Sequence, residues 1–235
     1  MALGGHALAA GRKPLLAILC LGLLLLVSAC AGRAVQQATA TQPGQCDPGF
    51  LGIEPAVDGQ TRESKSRLYY LSYTLRSCRT WQGVAFEGRI LPESVDQVIE
   101  AFEDQERTSG EGGKRFIMLN STGGQLVAGL KLAQYMIRED LVALVGPKMI
   151  CASMCSVVFI TAKTRRMHST ARLGIHSASD KDGRPVPEVN RLLARILTAV
   201  PGARADTYLE LADATPPDEI TWLSAAEAEA LGFTD

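Results

Sequence analysis

The short stretch Cys151-Ala152-Ser153-Met154-Cys155 sets a serine between two cysteines at the head of an apolar run that reaches Ala162. A serine hydroxyl becomes an effective nucleophile only when a neighbouring imidazole takes its proton, and histidine is the side chain whose ordinary pKa suits that shuttle. Two of the chain's three histidines, His168 and His176, follow this serine. Upstream, Asn120-Ser121-Thr122-Gly123-Gly124 ends an apolar run with a glycine pair, and glycine lets backbone N–H groups approach a reacting atom with no Cβ in the way. Taken singly, each feature has a plainer reading: a serine bonded to its own helix, a turn, or a half-buried histidine. The stretch Arg165-Arg166-Met167-His168 reads as a solvated turn. Cys151 and Cys155 carry metal-ligand chemistry, but no further Cys or His pair of zinc spacing accompanies them. A disulfide across one helical turn, or plain packing, is the better expectation, and no metal or cofactor is implied.

The elements that would hold these residues alternate between strand and helix. Arg67–Leu75 and Trp81–Ile90 have the aromatic, β-branched and alternating character of strands, and Ser94–Glu103 turns Val95, Val98, Ile99 and Phe102 to one helical face. Arg115–Leu119 is a short apolar strand, and Leu126–Arg138 is a helix with an apolar face of Leu126, Val127, Leu130, Leu132, Ala133, Met136 and Ile137. A strand over Leu141–Val145 precedes the apolar run Ala152–Ala162, which is helical around Ser153. Arg172–His176 is strand-like, Glu188–Val200 and Asp206–Leu211 are helical, and Ser224 caps a last helix to Ala230. Such alternation predicts a mostly parallel sheet in an α/β domain.

Composition and the N-terminus bound the setting. The chain has 235 residues, 46% apolar and 21% charged, with a formal net charge of −1, which excludes a disordered chain and disfavours a nucleic-acid partner. Arg12 and Lys13 precede the apolar run Pro14–Val27, too short to span a membrane comfortably but the length of a signal-peptide core. Leu26-Val27-Ser28-Ala29-Cys30 resembles a bacterial lipobox, which implies cleavage after residue 29 and lipidation of Cys30. The following Ala31, rather than an aspartate, favours the outer membrane as its destination. The expected organisation is a lipoprotein signal over 1–29, a flexible tether over 30–60 and one α/β domain over 61–235. Export exposes the chain to an oxidising space without ATP, where Cys46 with Cys78 and Cys151 with Cys155 are possible disulfides.

From Val84 to Asp235, four ordered blocks resemble the Clp protease proteolytic subunit and crotonase superfamily, and within it the exported Clp-protease-like proteins. These are Ile117-Met118-Leu119-Asn120-Ser121-Thr122-Gly123-Gly124, with Thr122 in place of the family's proline; Cys151-Ala152-Ser153-Met154-Cys155; Gly174-Ile175-His176; and Trp222-Leu223-Ser224-Ala225-Ala226-Glu227-Ala228 followed by Leu231-Gly232-Phe233. The resemblance implies a β-β-α superhelix with a mostly parallel sheet, Ser153 as nucleophile and His176 as base. Gly123 or Gly124, with Gly123 placed slightly ahead, and the N–H of Met154 are then the oxyanion donors. For the third triad member Asp218 is nearest to the family's position, with Asp213 and Glu219 as rivals and a backbone carbonyl as another solution. A Ser-Lys variant would have to use Lys181 and has no motif behind it.

The function expected from this resemblance is that of a lipid-anchored serine hydrolase of the cell envelope, ATP-independent, acting on peptide or protein substrates and assembled as a homo-oligomer. A second expectation is a scaffold that has lost turnover and serves as a binding or assembly protein. Coenzyme A chemistry would suit the fold but leave the serine and histidine unexplained.

Overall fold

The computed structural model describes residues 49–55, 66–74, 80–109 and 114–235. The signal segment, Cys30, Cys46 and Cys78 lie outside the described residues. Among the described residues nine strands and six helices follow in order: β1 Gly49–Pro55, β2 Arg67–Thr74, β3 Thr80–Glu87, α1 Pro92–Ser109, β4 Arg115–Asn120, α2 Leu126–Arg138, β5 Val142–Val145, β6 Ile150–Ala152, α3 Met154–Thr161, β7 Arg165–Met167, β8 Arg172–Ile175, α4 Pro187–Leu197, α5 Ala205–Ala214, β9 Thr221–Ser224 and α6 Ala225–Ala230. They form a six-stranded sheet, β1-β2-β3-β4-β5-β7, and a three-stranded one, β6-β8-β9. The larger sheet is antiparallel from β1 to β3 and parallel from β3 to β7. In the smaller, β6 runs parallel to β8, which pairs antiparallel with β9. Strand β1 falls within the stretch read from sequence as tether.

The parallel strands need crossovers: α1 joins β3 to β4, α2 joins β4 to β5, and α3 lies in the connections from β5 to β7 and from β6 to β8. Pro92 opens α1 two residues earlier than the apolar spacing predicts, because its fixed φ suits a first turn whose N–H would be unpaired anyway. The buried Ser94 hydroxyl accepts from the Leu91 N–H at 2.9 Å, while Val95, Val98 and Phe102 are fully buried below it. Helix α2 has the predicted ends, but its buried face is rotated. Ala128, Gly129, Leu132, Ala133 and Met136 face inward, whereas Val127 is 77% exposed. Gly129 sets this rotation by making room for the Met154 side chain of α3, which a Cβ would overlap. Every residue of α3 is buried, the pattern of a helix apolar all round.

One expectation is corrected here. Residues 165–168 are not a solvated turn: Arg165–Met167 is β7, parallel to β5, and Arg165 is only 3% exposed. Its Nη1 donates to the Ile160 and Ala162 carbonyls at 3.1 and 3.0 Å, satisfying the end of α3, and Asp235 pairs with its guanidinium. An arginine buried in this way gives a charged sequence to an edge strand, which hydropathy cannot signal.

Candidate active site

Ser153 is the single residue between the end of β6 and the start of α3. A strand can turn into a helix within one residue only through an unusual backbone, and Ser153 has φ 56° and ψ −127°. These are the angles of the first central residue of a type II′ turn, a position that glycine prefers. The conformation is pinned on both sides: Ser153 N–H donates to the Gly174 carbonyl at 2.9 Å, and its own carbonyl accepts from Ser156 N–H at 2.9 Å and Ser156 Oγ at 2.6 Å. The disulfide Cys151–Cys155 closes over the same turn, with Cα atoms 5.1 Å apart. The Ser153 hydroxyl, by contrast, makes no hydrogen bond among the described residues, so the serine is not held there by its own side chain.

The loop after β4 faces this turn. Ser121 carries the sheet across to β6, donating its N–H to the Ile150 carbonyl at 2.8 Å and accepting from Ala152 N–H at 2.9 Å. Asn120 Oδ1 accepts from Ile150 N–H at 3.2 Å. Gly123 then passes so close that a Cβ on it would lie 2.7 Å from both the Ala152 carbonyl oxygen and Ser153 Cβ, and its φ is 94°. The Gly123 N–H is already committed to Ser121 Oγ at 3.0 Å. Among the described residues, the N–H groups of Gly124 and Met154 have no acceptor. The order of the two glycines is therefore the reverse of the one expected: Gly124, not Gly123, has the N–H available to a ligand. Met154 is the first residue of α3, where unpaired N–H groups and the positive end of the helix dipole favour negative charge.

His176 follows β8 directly and is half-buried. Its Nδ1 lies 2.8 Å from the Ser177 carbonyl oxygen, which can only accept. In the neutral ring Nδ1 therefore carries the hydrogen and Nε2 keeps the lone pair, as a proton acceptor requires. The peptide that receives this bond is itself held from behind. Its Ala178 N–H donates to Asn190 Oδ1 at 2.8 Å, and Asn190 Nδ2 donates to Asp213 Oδ1 at 2.7 Å and to Ser177 Oγ at 3.0 Å. The dipoles run head to tail from imidazole through peptide and side-chain amide to a carboxylate.

Of the three acids considered, only Asp213 connects to His176, and it does so through two amides. Asp218 is exposed and makes no hydrogen bond to His176, because Pro216-Pro217 turns it outward; Glu219 is exposed as well. His168 is exposed and bonded to Thr170, and Lys181 pairs with Asp182 in solvent, so neither competes for the site. Asn190 was not legible as a site residue, although it had a signal: it stands at the helical spacing of Leu193, Ala194 and Leu197, a polar residue within the buried stripe of α4.

Ser153 and His176 both line a cavity of about 180 Å³, together with Gly124, Met154, Leu193 and Tyr208. No Asp, Glu, Lys or Arg lines it. The volume is below the roughly 300–1,000 Å³ of sites that enclose a drug-sized ligand, and suits a single side chain.

No protein-family model matches the sequence, and no curated protein matches it either. Solved structures match in number, 515 chains in all, so the fold is a well-populated one. The class that the fold defines is mixed α/β with a mostly parallel sheet, the Clp-protease-like arrangement. One of the matching structures is a serine-to-alanine mutant of 1510-N, a membrane-bound stomatin-specific protease. It has a TM-score of 0.53 and 16% sequence identity, and the match covers 64% of this chain and 75% of that one. Likeness at this identity concerns the fold; activity has to be argued from the site.

Proposed function

We propose that the protein is a serine peptidase of the cell envelope, lipid-anchored through Cys30 and independent of ATP, with Ser153 as nucleophile and His176 as base. The observation that carries this reading is the Ser153 backbone, held at φ 56° in the same cavity as His176 and beside two N–H groups without acceptors. Strain of this kind, costing about 1–3 kcal/mol, persists where the surrounding structure imposes it, and it clusters at functional sites. Ser153 Oγ attacks the substrate carbonyl as His176 Nε2 takes its proton. The N–H groups of Gly124 and Met154 receive the oxyanion, and His176 returns the proton to the departing amine. Water then hydrolyses the acyl-enzyme by the same proton path in reverse. Homo-oligomer formation and an outer-membrane location belong to the same proposal.

Asn190 and Asp213 take the place of the third triad member: they hold the peptide that orients the imidazole and support the cation formed when His176 is protonated. Asn190→Ala is expected to slow acylation about tenfold or more, whereas Asp213→Asn, which keeps the hydrogen bond and removes the charge, slows it only a few-fold. Stopped-time labelling rates of the two variants check this order, and an Asp213→Asn rate equal to that of the wild type would remove Asp213's charge from the mechanism.

The test of the function itself is labelling of the full chain with a fluorophosphonate, with the modified residue located by peptide mass spectrometry. Modification of Ser153, lost in His176→Ala, is the expected result. A second reading, a binding or assembly protein without turnover, is favoured by one observation: no hydrogen bond joins Ser153 Oγ to His176 among the described residues. Catalytic hydrogen bonds often tighten only when substrate is bound, so the geometry favours the peptidase. Absence of labelling from the wild type, with the disulfide either intact or reduced, would leave the binding protein.

A further inference from the structure

Tyr208, on α5, lines the cavity that contains Ser153 and His176, and it is only 3% exposed. Its hydroxyl has no hydrogen-bond partner among the described residues and is not one of the enclosed side-chain atoms, so it opens onto the cavity while the ring is buried. Ala205 and Ala212, one helical turn to either side, are buried with it and fix the face of α5 that carries the ring. Leu126, Met154, Val189 and Leu193 make the neighbouring wall apolar. A polar group open in such a wall is a donor available to whatever displaces water from the cavity.

We infer that the Tyr208 hydroxyl is a specificity determinant, donating a hydrogen bond to the uncharged polar tip of the substrate side chain that precedes the cleaved bond. The inference rests on the serine-peptidase reading of this cavity. Three properties narrow the substrate class. The small volume admits one side chain. The absence of any Asp, Glu, Lys or Arg from the lining leaves a charged side chain with no counter-ion, and burying such a charge is costly. A wholly apolar side chain would fill the space but keep the hydroxyl unpaired, so the site selects against it as well. Burial also raises the phenol's pKa, which keeps the O–H in place as a donor. A long, flexible stem ending in a neutral acceptor satisfies all three, and glutamine is the standard residue of that form.

The experiment compares fluorogenic peptides that differ only at that residue, with glutamine, norleucine, lysine or glutamate, on the full chain and on its Tyr208→Phe variant. The wild type is expected to favour glutamine over norleucine by about tenfold in kcat/KM and to cleave the charged peptides least. In Tyr208→Phe the glutamine-to-norleucine ratio falls to about one or inverts, because the phenyl ring keeps the shape and loses the donor. The ratio is taken within each protein, so partial loss of folded enzyme cancels. A wild type that is labelled at Ser153 and turns over peptides, but with the same ratio in both proteins, overturns the role of Tyr208 and leaves the peptidase standing. A wild type that prefers norleucine does the same without recourse to the variant. A wild type with neither labelling nor turnover overturns both.

Discussion

Ser153→Gly is expected to yield a more stable protein that no longer reacts with a fluorophosphonate. The serine occupies φ 56° and ψ −127°, where a side chain costs about 1–3 kcal/mol and glycine fits without strain. Against this stands the greater entropy that glycine brings to the unfolded chain, about 0.5–1 kcal/mol. The strain term is the larger, and no side-chain hydrogen bond is lost, because Ser153 Oγ makes none among the described residues. A net gain of about 1 kcal/mol corresponds to a rise in Tm of roughly 2–4 °C for a domain of this size. Ser153→Ala keeps the Cβ and hence the strain, so it abolishes labelling with little change in Tm. Thermal unfolding of the three proteins separates the contributions, and a Tm for Ser153→Gly at or below that of Ser153→Ala would mean that the turn is relaxed around an ordinary serine.

Gly124→Ala is expected to damage stability and reactivity together. Here the obstacle is backbone: a Cβ at Gly124 would stand 2.7 Å from the Ile90 carbonyl carbon and closer still to its oxygen. Two hydrogen bonds lock this approach, Ile90 N–H to the Gly123 carbonyl at 2.9 Å and Gln125 N–H to the Ile90 carbonyl at 2.8 Å. To admit a methyl group the two bridged segments must part, weakening both bonds and the packing of Ile90, which is completely buried. Overpacking of about 1–3 kcal/mol and about 1 kcal/mol for each of the two disturbed bonds give a loss of roughly 3–5 kcal/mol, a large share of a typical domain's stability. The same displacement moves the Gly124 N–H away from the oxyanion, for which a loss of about 100-fold or more in acylation rate is expected. Gly183→Ala is the comparison: nothing lies within 4 Å of the added carbon, although its φ, unlike that of Gly124, is positive. Labelling that survives at more than a tenth of the wild-type rate in folded Gly124→Ala would exclude its N–H as a donor.

What the sequence made legible was what periodicity and turn chemistry encode. The alternation of strands with helices gave the fold class, and α2 came out with its observed ends because its apolar spacing agrees with the glycine pair before it and the charged Arg138-Glu139-Asp140 after it. Its inner face was misjudged, since hydropathy admits Val127 to a core from which the packing of Met154 on Gly129 excludes it. Strand β7 was hidden because a buried arginine reads as a solvated one. At the site, the serine, the histidine and the glycine pair could be singled out by type and order, whereas the support behind His176 could not. That support runs through a main-chain peptide, an asparagine and an acid in three different segments, and no spacing rule links them. Asp218, the acid nearest in register, is turned outward by two prolines.

The smaller sheet carries both Ser153 and His176, while the glycine loop grows from the larger one, and Ser121 with Asn120 joins the two. Ile150, Ala152 and Gly123 all give their N–H groups to this pair. The Ile150 and Ala152 bonds cross the seam and are expected to share one opening free energy in hydrogen exchange, whereas the Gly123 bond to Ser121 Oγ lies within the loop and can persist when they break. An opening at this seam carries the Gly124 N–H away while Ser153, His176 and the Met154 N–H stay together on the smaller sheet, so what it removes is one oxyanion donor, with nucleophile and base left in place.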